Sequence, residues 1–452
     1  MADEIGCEPR DRQSTLEFLT RVIALSSAEQ TEVSLHAERE SLTRFAGSRI
    51  HQNVAELDCR LSVRSIEDGK TGHASTNRFD EASLRQTVEW ARTVARTGRI
   101  AADPPQFAGP QTYREIHNYS AKTADVSPQE RAELVKRLAD QCALKGAEAA
   151  GAVSNSEHIL AIANSKGLCA YHALTDSNFT ATVSSDGSTG WCNSHAVDFS
   201  KLSAARMGSL ALERAVLGRN PRKIPPGRYT VILEAAAVKD FLDFLAWLGF
   251  GAQAFEEGRS FMCGKLGTQI TGANITITDD AYHPLGIGIP FDFEGMPRQR
   301  VALIEKGVAR NVVYDRAHAA RAGKDSTGHA LPPKYTFGPL PMNLVLSPGE
   351  ADAEEMLRSV THGLLVSRFW YCRVVDPAKT LLTGQTRDGT FLIEDGHIVC
   401  GVRDFRFNES ILESFARAEM VSHDLSRIES TLAPTLKIAD FRFTEVIGES
   451  QP

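Results

Sequence analysis

The chain has 452 residues, 42% hydrophobic and 24% charged, with 50 basic against 57 acidic side chains and a formal net charge of -7. This is the composition of an ordinary soluble globular chain and excludes a peptide hormone, a coiled coil or a disordered tail. It carries no basic footprint for nucleic acid, and at about 100–200 residues per domain its length predicts two or three domains.

Met1-Ala2-Asp3-Glu4 is acidic with no apolar run behind it, unlike a secretory leader. Leu16, Leu19, Val22 and Ile23 then recur at helical spacing behind the candidate cap Ser14. Val33, Leu35 and Ala37 alternate with polar residues, and a second alternating run, Cys59, Leu61 and Val63, leads to the hairpin turn Asp68-Gly69 and back toward His73. Leu84, Val88, Ala91 and Ala95 mark a helix closed by Gly98, and residues 101–126, with Pro104, Pro105 and Pro110, read as a loop or crossover. Ser127-Pro128-Gln129-Glu130 starts a helix: the serine caps the amide three residues on, the glutamate reaches back, and proline at the first helical position loses no bond.

A second β block occupies 151–199, with turns at 164–167 and at Ser185-Asp186-Gly187, and a helix over 203–217 ends at Gly218. Strands, helix, strands, helix suggest two loosely duplicated halves, with no residue-level repeat recognised. Residues 220–227, rich in proline, form the expected boundary between an N-terminal α/β domain with antiparallel strands (1–220) and a β-rich, sandwich or barrel-like C-terminal domain (228–452), an α+β chain overall. In the second part a strand Tyr229 to Leu233 and an apolar helix over 236–250 precede short strands near 275–277, 301–304, 343–346, 391–393 and 397–399, with a helix expected at 350–366. The most apolar stretch, Ala235 to Phe255, contains Lys239, Asp240 and Asp243 and falls short of the roughly 20 uninterrupted apolar residues of a membrane span. Eight dispersed cysteines without a CxxC pair read as reduced thiols of a cytoplasmic protein.

None of the thirteen histidines forms the HExxH or HExxxH pair that would place two imidazoles on one helix face, and His318 and His329 are the nearest approach. No GxxxxGK[ST] or GxSxG motif is present. Phe291-Asp292-Phe293-Glu294-Gly295 places two carboxylates two residues apart, fit for metal binding, acid/base work or a charged turn. Ser326-Thr327-Gly328-His329-Ala330 suits gripping a peptide backbone or, equally, a capped loop around a satisfied histidine.

In order along the chain, Gly258-Arg259-Ser260-Phe261, Gly264-Lys265-Leu266-Gly267, Ile277-Thr278-Asp279-Asp280, the 291–295 segment, Leu303-Ile304-Glu305-Lys306-Gly307-Val308, the 326–330 segment, Gly363-Leu364-Leu365-Val366, Leu382-Thr383-Gly384 and Ile393-Glu394-Asp395-Gly396 resemble the TldD/TldE (PmbA) family, through to Pro434-Thr435-Leu436-Lys437-Ile438. The resemblance implies two homologous subunits, one bearing an HExxxH zinc site, assembled around an enclosed cavity that admits unfolded peptides. Counting back from Gly258-Arg259-Ser260 sets the zinc-helix stretch at Asp243-Phe244-Leu245-Ala246-Trp247-Leu248, which has no ligand pair. The last cysteine is Cys400, so the family's C-terminal cysteine ligand is also missing, with His423 the available substitute.

The chain therefore resembles the metal-free TldE/PmbA type. That implies no catalytic residue, metal or cofactor of its own, zinc in a TldD-type partner subunit, a heterodimer or else a homodimer, and unfolded peptides as substrate. Nucleic acid and membrane are not expected partners. Asp292, Glu294, Ser326, Thr327 and His329 are the candidate substrate-lining residues, receiving an extended peptide by main-chain pairing. The alternatives are a self-sufficient metallopeptidase using His329, His423, Asp292 and Glu294, and a protein-binding regulator of the DNA-gyrase-modulator type.

Overall fold

The computed structural model describes residues 11–98 and 106–447. The readings of Met1 to Glu4, Cys7, Pro104 and Pro105 lie outside the described residues. The chain opens with α1 (Arg12–Ile23), whose cap is Asp11 rather than Ser14: the Asp11 carboxylate accepts the N–H groups of Gln13 and Ser14, and Ser14 donates its hydroxyl to it. A carboxylate accepts two donors at once, and a hydroxyl inside the first turn does not compete with it.

Strands β1 (Gln30–Ala46), β2 (Arg49–Glu67) and β3 (Lys70–Thr76) precede α2 (Glu81–Thr97); a short α3 (Ala121–Ala124) and then α4 (Pro128–Leu144) follow. The second group is β4 (Glu148–Asn164), β5 (Cys169–Ser185), β6 (Ser188–Ala196) and α5 (Ala204–Leu217). The expected capping box is present, with Ser127 and Glu130 each satisfying the other's backbone N–H. All six strands form one antiparallel sheet in the order β3-β2-β1-β4-β5-β6.

The two strand groups therefore mirror each other about the β1–β4 pair, and the duplication does reach residue level. Asp68-Gly69-Lys70-Thr71-Gly72 and Asp186-Gly187-Ser188-Thr189-Gly190 occupy equivalent positions, with positive φ at both turn residues in each. In both copies the final glycine lets a helix close in: a Cβ on Gly72 would lie 2.0 Å from the Ala91 carbonyl oxygen of α2, and one on Gly190 2.1 Å from that of Ala211 in α5.

Alternation fixes the register. Val33, Leu61 and Val63 are fully buried against Leu19 of α1 and Ala91 of α2. A one-residue slip of β1 would turn Val33 and Leu35 outward and Ser34 and His36 inward, a loss of about 4 kcal/mol at about 2 kcal/mol per side chain. The apolar run Ile159 to Ala163 in β4 is covered on both faces, since Ala161 and Ala163 meet the helices while Leu160 and Ile162 pack with Phe291 of the second half.

The second half contains β7 (Arg228–Leu233), α6 (Ala235–Gly249), α7 (Ala252–Glu256), β8 (Ile277–Asp279), β9 (Val301–Glu305), β10 (Val308–Ala309), α8 (Arg316–Arg321), β11 (Leu344–Leu346) and α9 (Ala353–Arg358). It continues with β12 (His362–Asp376), β13 (Leu381–Glu394), β14 (His397–Gly401), β15 (Phe405–Ser410), α10 (Ile411–Ala416), β16 (Ala418–Val421), β17 (Ser426–Ile428), β18 (Thr431–Ala433) and β19 (Leu436–Val446). Strands run β12-β7-β19-β15-β13, and β13 pairs back to β12, so five strands close into a barrel, one of the two expected forms; β14 pairs with the end of β13 and β16 with the start of β19. A second sheet follows the order β10-β9-β8-β11-β18-β17.

Phe369, Phe407 and Phe441 alternate inward and meet Phe241 of α6, with ring centroids 5.2, 6.2 and 6.4 Å away. The helix expected over 350–366 is only α9, because from His362 the chain pairs in parallel with β7 and antiparallel with β13. Six described cysteines are free thiols, whereas Cys59 is disulfide-bonded, which corrects the reading of all eight as reduced. No described helix is long and apolar enough to cross a membrane.

Candidate functional site

The segments 291–296 and 326–330 come together as the sequence grouping required. The fully buried Asp292 carboxylate accepts the backbone N–H groups of Glu294 and Met296 on Oδ1, both at 2.9 Å, and that of Ala330 on Oδ2 at 2.8 Å. Gly295, at φ +71°, completes the tight turn. His329 is equally buried, with Nδ1 2.9 Å from Thr327 Oγ1 and Nε2 2.9 Å from Asp279 Oδ1. Burial alone would raise the Asp279 carboxyl, but His329, Arg298 and the Asn343 N–H outweigh it and hold it below the usual carboxylate range. Asp292 and His329 thus fasten the loops and do not meet solvent, while Glu294, Ser326 and Thr327 remain partly exposed.

The same turn clamps the two halves of the chain. Phe291 packs on Leu160 and Ile162, Tyr113 donates its hydroxyl to the Gly295 carbonyl at 2.8 Å, and Asn118 donates to that of Gly288 at 2.9 Å. Partial burial pushes the Glu294 carboxyl up to about 7, the nearby Asp292 charge adds to this, and Arg64, itself paired with Glu32, opposes it. Beside the clamp lies a cavity of about 340 Å³ between Ser34, His36, Arg60 and His73 of the sheet and Phe293 and residues 332–335.

Helix α6 carries the stretch set opposite the zinc helix. Asp243 binds Lys239 at 2.9 Å and accepts the Thr431 hydroxyl at 3.1 Å, and Lys239 also meets Glu429 at 2.9 Å. Leu248 is buried at 8% exposure, and Phe244 packs against the core. These residues do not fit a zinc ion: Phe244 and Leu248 offer no donor atom and Asp243 is committed to its own helix. Burial, with Asp243 and Glu429 adding to it, pushes the neighbouring Asp240 carboxyl up to about 7. His423 is 51% exposed and pairs with Asp424 at 3.0 Å, so it does not join His329 and Asp292.

Among the described residues, one group of three metal-ligating side chains does converge: His36, Glu38 and His158. Sequence reasoning missed it. The i, i+2 spacing of His36 and Glu38 was legible, but their meeting with a residue about 120 positions away depends on the β1–β4 pairing.

Comparison with known proteins defines first the class. The chain matches the model of the PmbA/TldA metallopeptidase C-terminal domain over residues 226–445, that of domain 1 over 31–95 and that of the central domain over 121–219. It belongs to the PmbA/TldD family of metallopeptidase-like proteins. Among curated relatives, a Methanothermobacter thermautotrophicus metalloprotease is 24% identical over 88% of each chain, and the metalloprotease PmbA of Escherichia coli O157:H7 is 23% identical over 84% of this chain and 86% of its own. TldE from Thermococcus kodakarensis superposes with a TM-score of 0.84 at 19% identity, covering 95% of this chain and 99% of that one. A candidate modulator of a DNA gyrase from Thermotoga maritima gives the same score and coverage at 22% identity.

Proposed function

We propose that this chain is the non-catalytic, TldE-type subunit of a cytoplasmic two-subunit peptidase, paired with a TldD-type subunit that supplies the zinc and the bond cleavage. The observation that carries the reading is α6: where a catalytic member needs two imidazoles and a glutamate, this helix has Asp243, Phe244 and Leu248, ion-paired or packed in the core. No substitution of solvent-facing residues alone restores a site there. The chain's role is then to complete the chamber and to hold an unfolded peptide in extended form, contacting the main-chain amides common to all sequences. Glu294, Ser326 and Thr327 are the part-exposed residues assigned to that contact, positioned by buried Asp292 and His329.

Mixing the purified chain with a TldD-type subunit and measuring mass by light scattering tests the assembly. The proposal expects a one-to-one heterodimer at the expense of either species alone. A chain that stays apart from every TldD-type subunit of its own source contradicts it.

A further inference from the structure

The polar face of the first sheet, opposite its helices, carries a feature that the subunit role does not use. Glu38 on β1 stands directly across from His158 on β4, and His36, two residues earlier, lies on the same face. Their nearest ligand atoms all fall within 4.8 Å of one another, and the two imidazole rings stack with centroids 6.5 Å apart.

His158 Nε2 lies 2.9 Å from Ser156 Oγ, and its Nδ1 faces the Glu38 carboxylate at 3.7 Å. When Ser156 accepts from Nε2–H, Nδ1 turns its lone pair toward Glu38, the tautomer that a cation shared with Glu38 selects. Ser156 is in the place of the outer partner that orients a metal-bound imidazole.

We propose that His36, Glu38 and His158 form a binding site for a borderline divalent transition ion of the Zn²⁺ class, bridging the two halves of the duplicated sheet. Two imidazoles and one carboxylate are a donor set for such an ion and leave a position for water. Metal–ligand bonds of about 2.0–2.2 Å set tetrahedral ligand atoms roughly 3.3 Å apart, so the side chains close by about 1.5 Å, within the reach of small χ rotations. His36 also lines the 340 Å³ cavity beside the Phe293 clamp.

The site is tested on the full-length untagged chain, stripped with chelator and titrated with Zn²⁺, and with Co²⁺ for its visible spectrum. The expected result is one equivalent retained through desalting. Ser156→Ala is expected to weaken binding about 10- to 100-fold, His36→Ala and His158→Ala at least as much, and His423→Ala not at all. All of these side chains reach the surface, and circular dichroism of each variant verifies folding. No retained metal in the wild type, or equal retention by the His36→Ala/His158→Ala double variant, overturns the proposal. The readout is metal uptake by the chain alone, so its outcome is separate from assembly and from peptide cleavage.

Discussion

Replacing Asp292 tests whether the 291–296 turn is the fastening of the site loops. Its two carboxylate oxygens take three backbone N–H groups, from Glu294, Met296 and Ala330, inside a fully buried pocket. A hydrogen bond to a charged group contributes about 1.5–3 kcal/mol, and a buried N–H left without an acceptor costs about 1–3 kcal/mol. Asp292→Asn keeps the shape and lets Oδ1 serve Glu294 and Met296, but sets an NH₂ group against the Ala330 N–H. About 2–3 kcal/mol should be lost. Asp292→Ala strands all three donors and leaves a small void, for about 4 kcal/mol or more. Urea unfolding gives the two differences, and amide exchange should show Ala330 opening in both variants. An Asn variant within about 0.5 kcal/mol of wild type, or an Ala variant no worse than Asn, would refute this account of the turn.

Two further substitutions read other parts of the structure. Gly72→Ala and Gly190→Ala should each destabilise by about 2–3 kcal/mol, because the added carbon meets helix backbone that must move away; a thermal midpoint within a degree of wild type would contradict the close approach. Asp240, raised from 3.8 to about 7, keeps a proton in the folded state that the unfolded chain releases near pH 4, so stability falls as pH rises from about 4 to about 7. At about 1.4 kcal/mol per unit the shift corresponds to about 4 kcal/mol, reduced to about 2 by partial solvent access. Asp240→Asn should therefore gain about 2 kcal/mol at pH 8 and little at pH 4.5 in urea melts, and an equal gain at both would remove burial as the cause.

Local signals were legible where the chemistry is local. The Ser127–Glu130 capping box, the turns at Asp68-Gly69 and Asp186-Gly187, and the glycine ends of α2 and α5 all stand where the residues place them. The paired pentapeptides beginning at Asp68 and Asp186 carry the duplication in the sequence itself. Over 350–366, Met356, Leu357, Val360 and Leu364 fit a helical spacing, yet only α9 (Ala353–Arg358) is helical. What decides the second half of that segment is partnership with β13, the next strand in the chain, and with β7, which lies far upstream and whose parallel pairing no local pattern announces.

The site divides in the same way. Asp292 and the 326–330 segment belong together, as grouped, but Asp279 and Arg64, which settle the charge around them, arrive from other sheets. Burial was the hidden quantity: it turns Asp292 and His329 from lining residues into supports and leaves Glu294, Ser326 and Thr327 with access to solvent.

The central claim is that this chain contributes to peptide cleavage without performing it. The direct test is cleavage of an unfolded peptide by the chain alone, by a TldD-type subunit alone and by the two together. The account predicts chelator-sensitive cleavage in the mixture, abolished when the partner's zinc-binding histidines are replaced and unaffected by His36→Ala/His158→Ala in this chain. Chelator-sensitive cleavage by the isolated chain would contradict it.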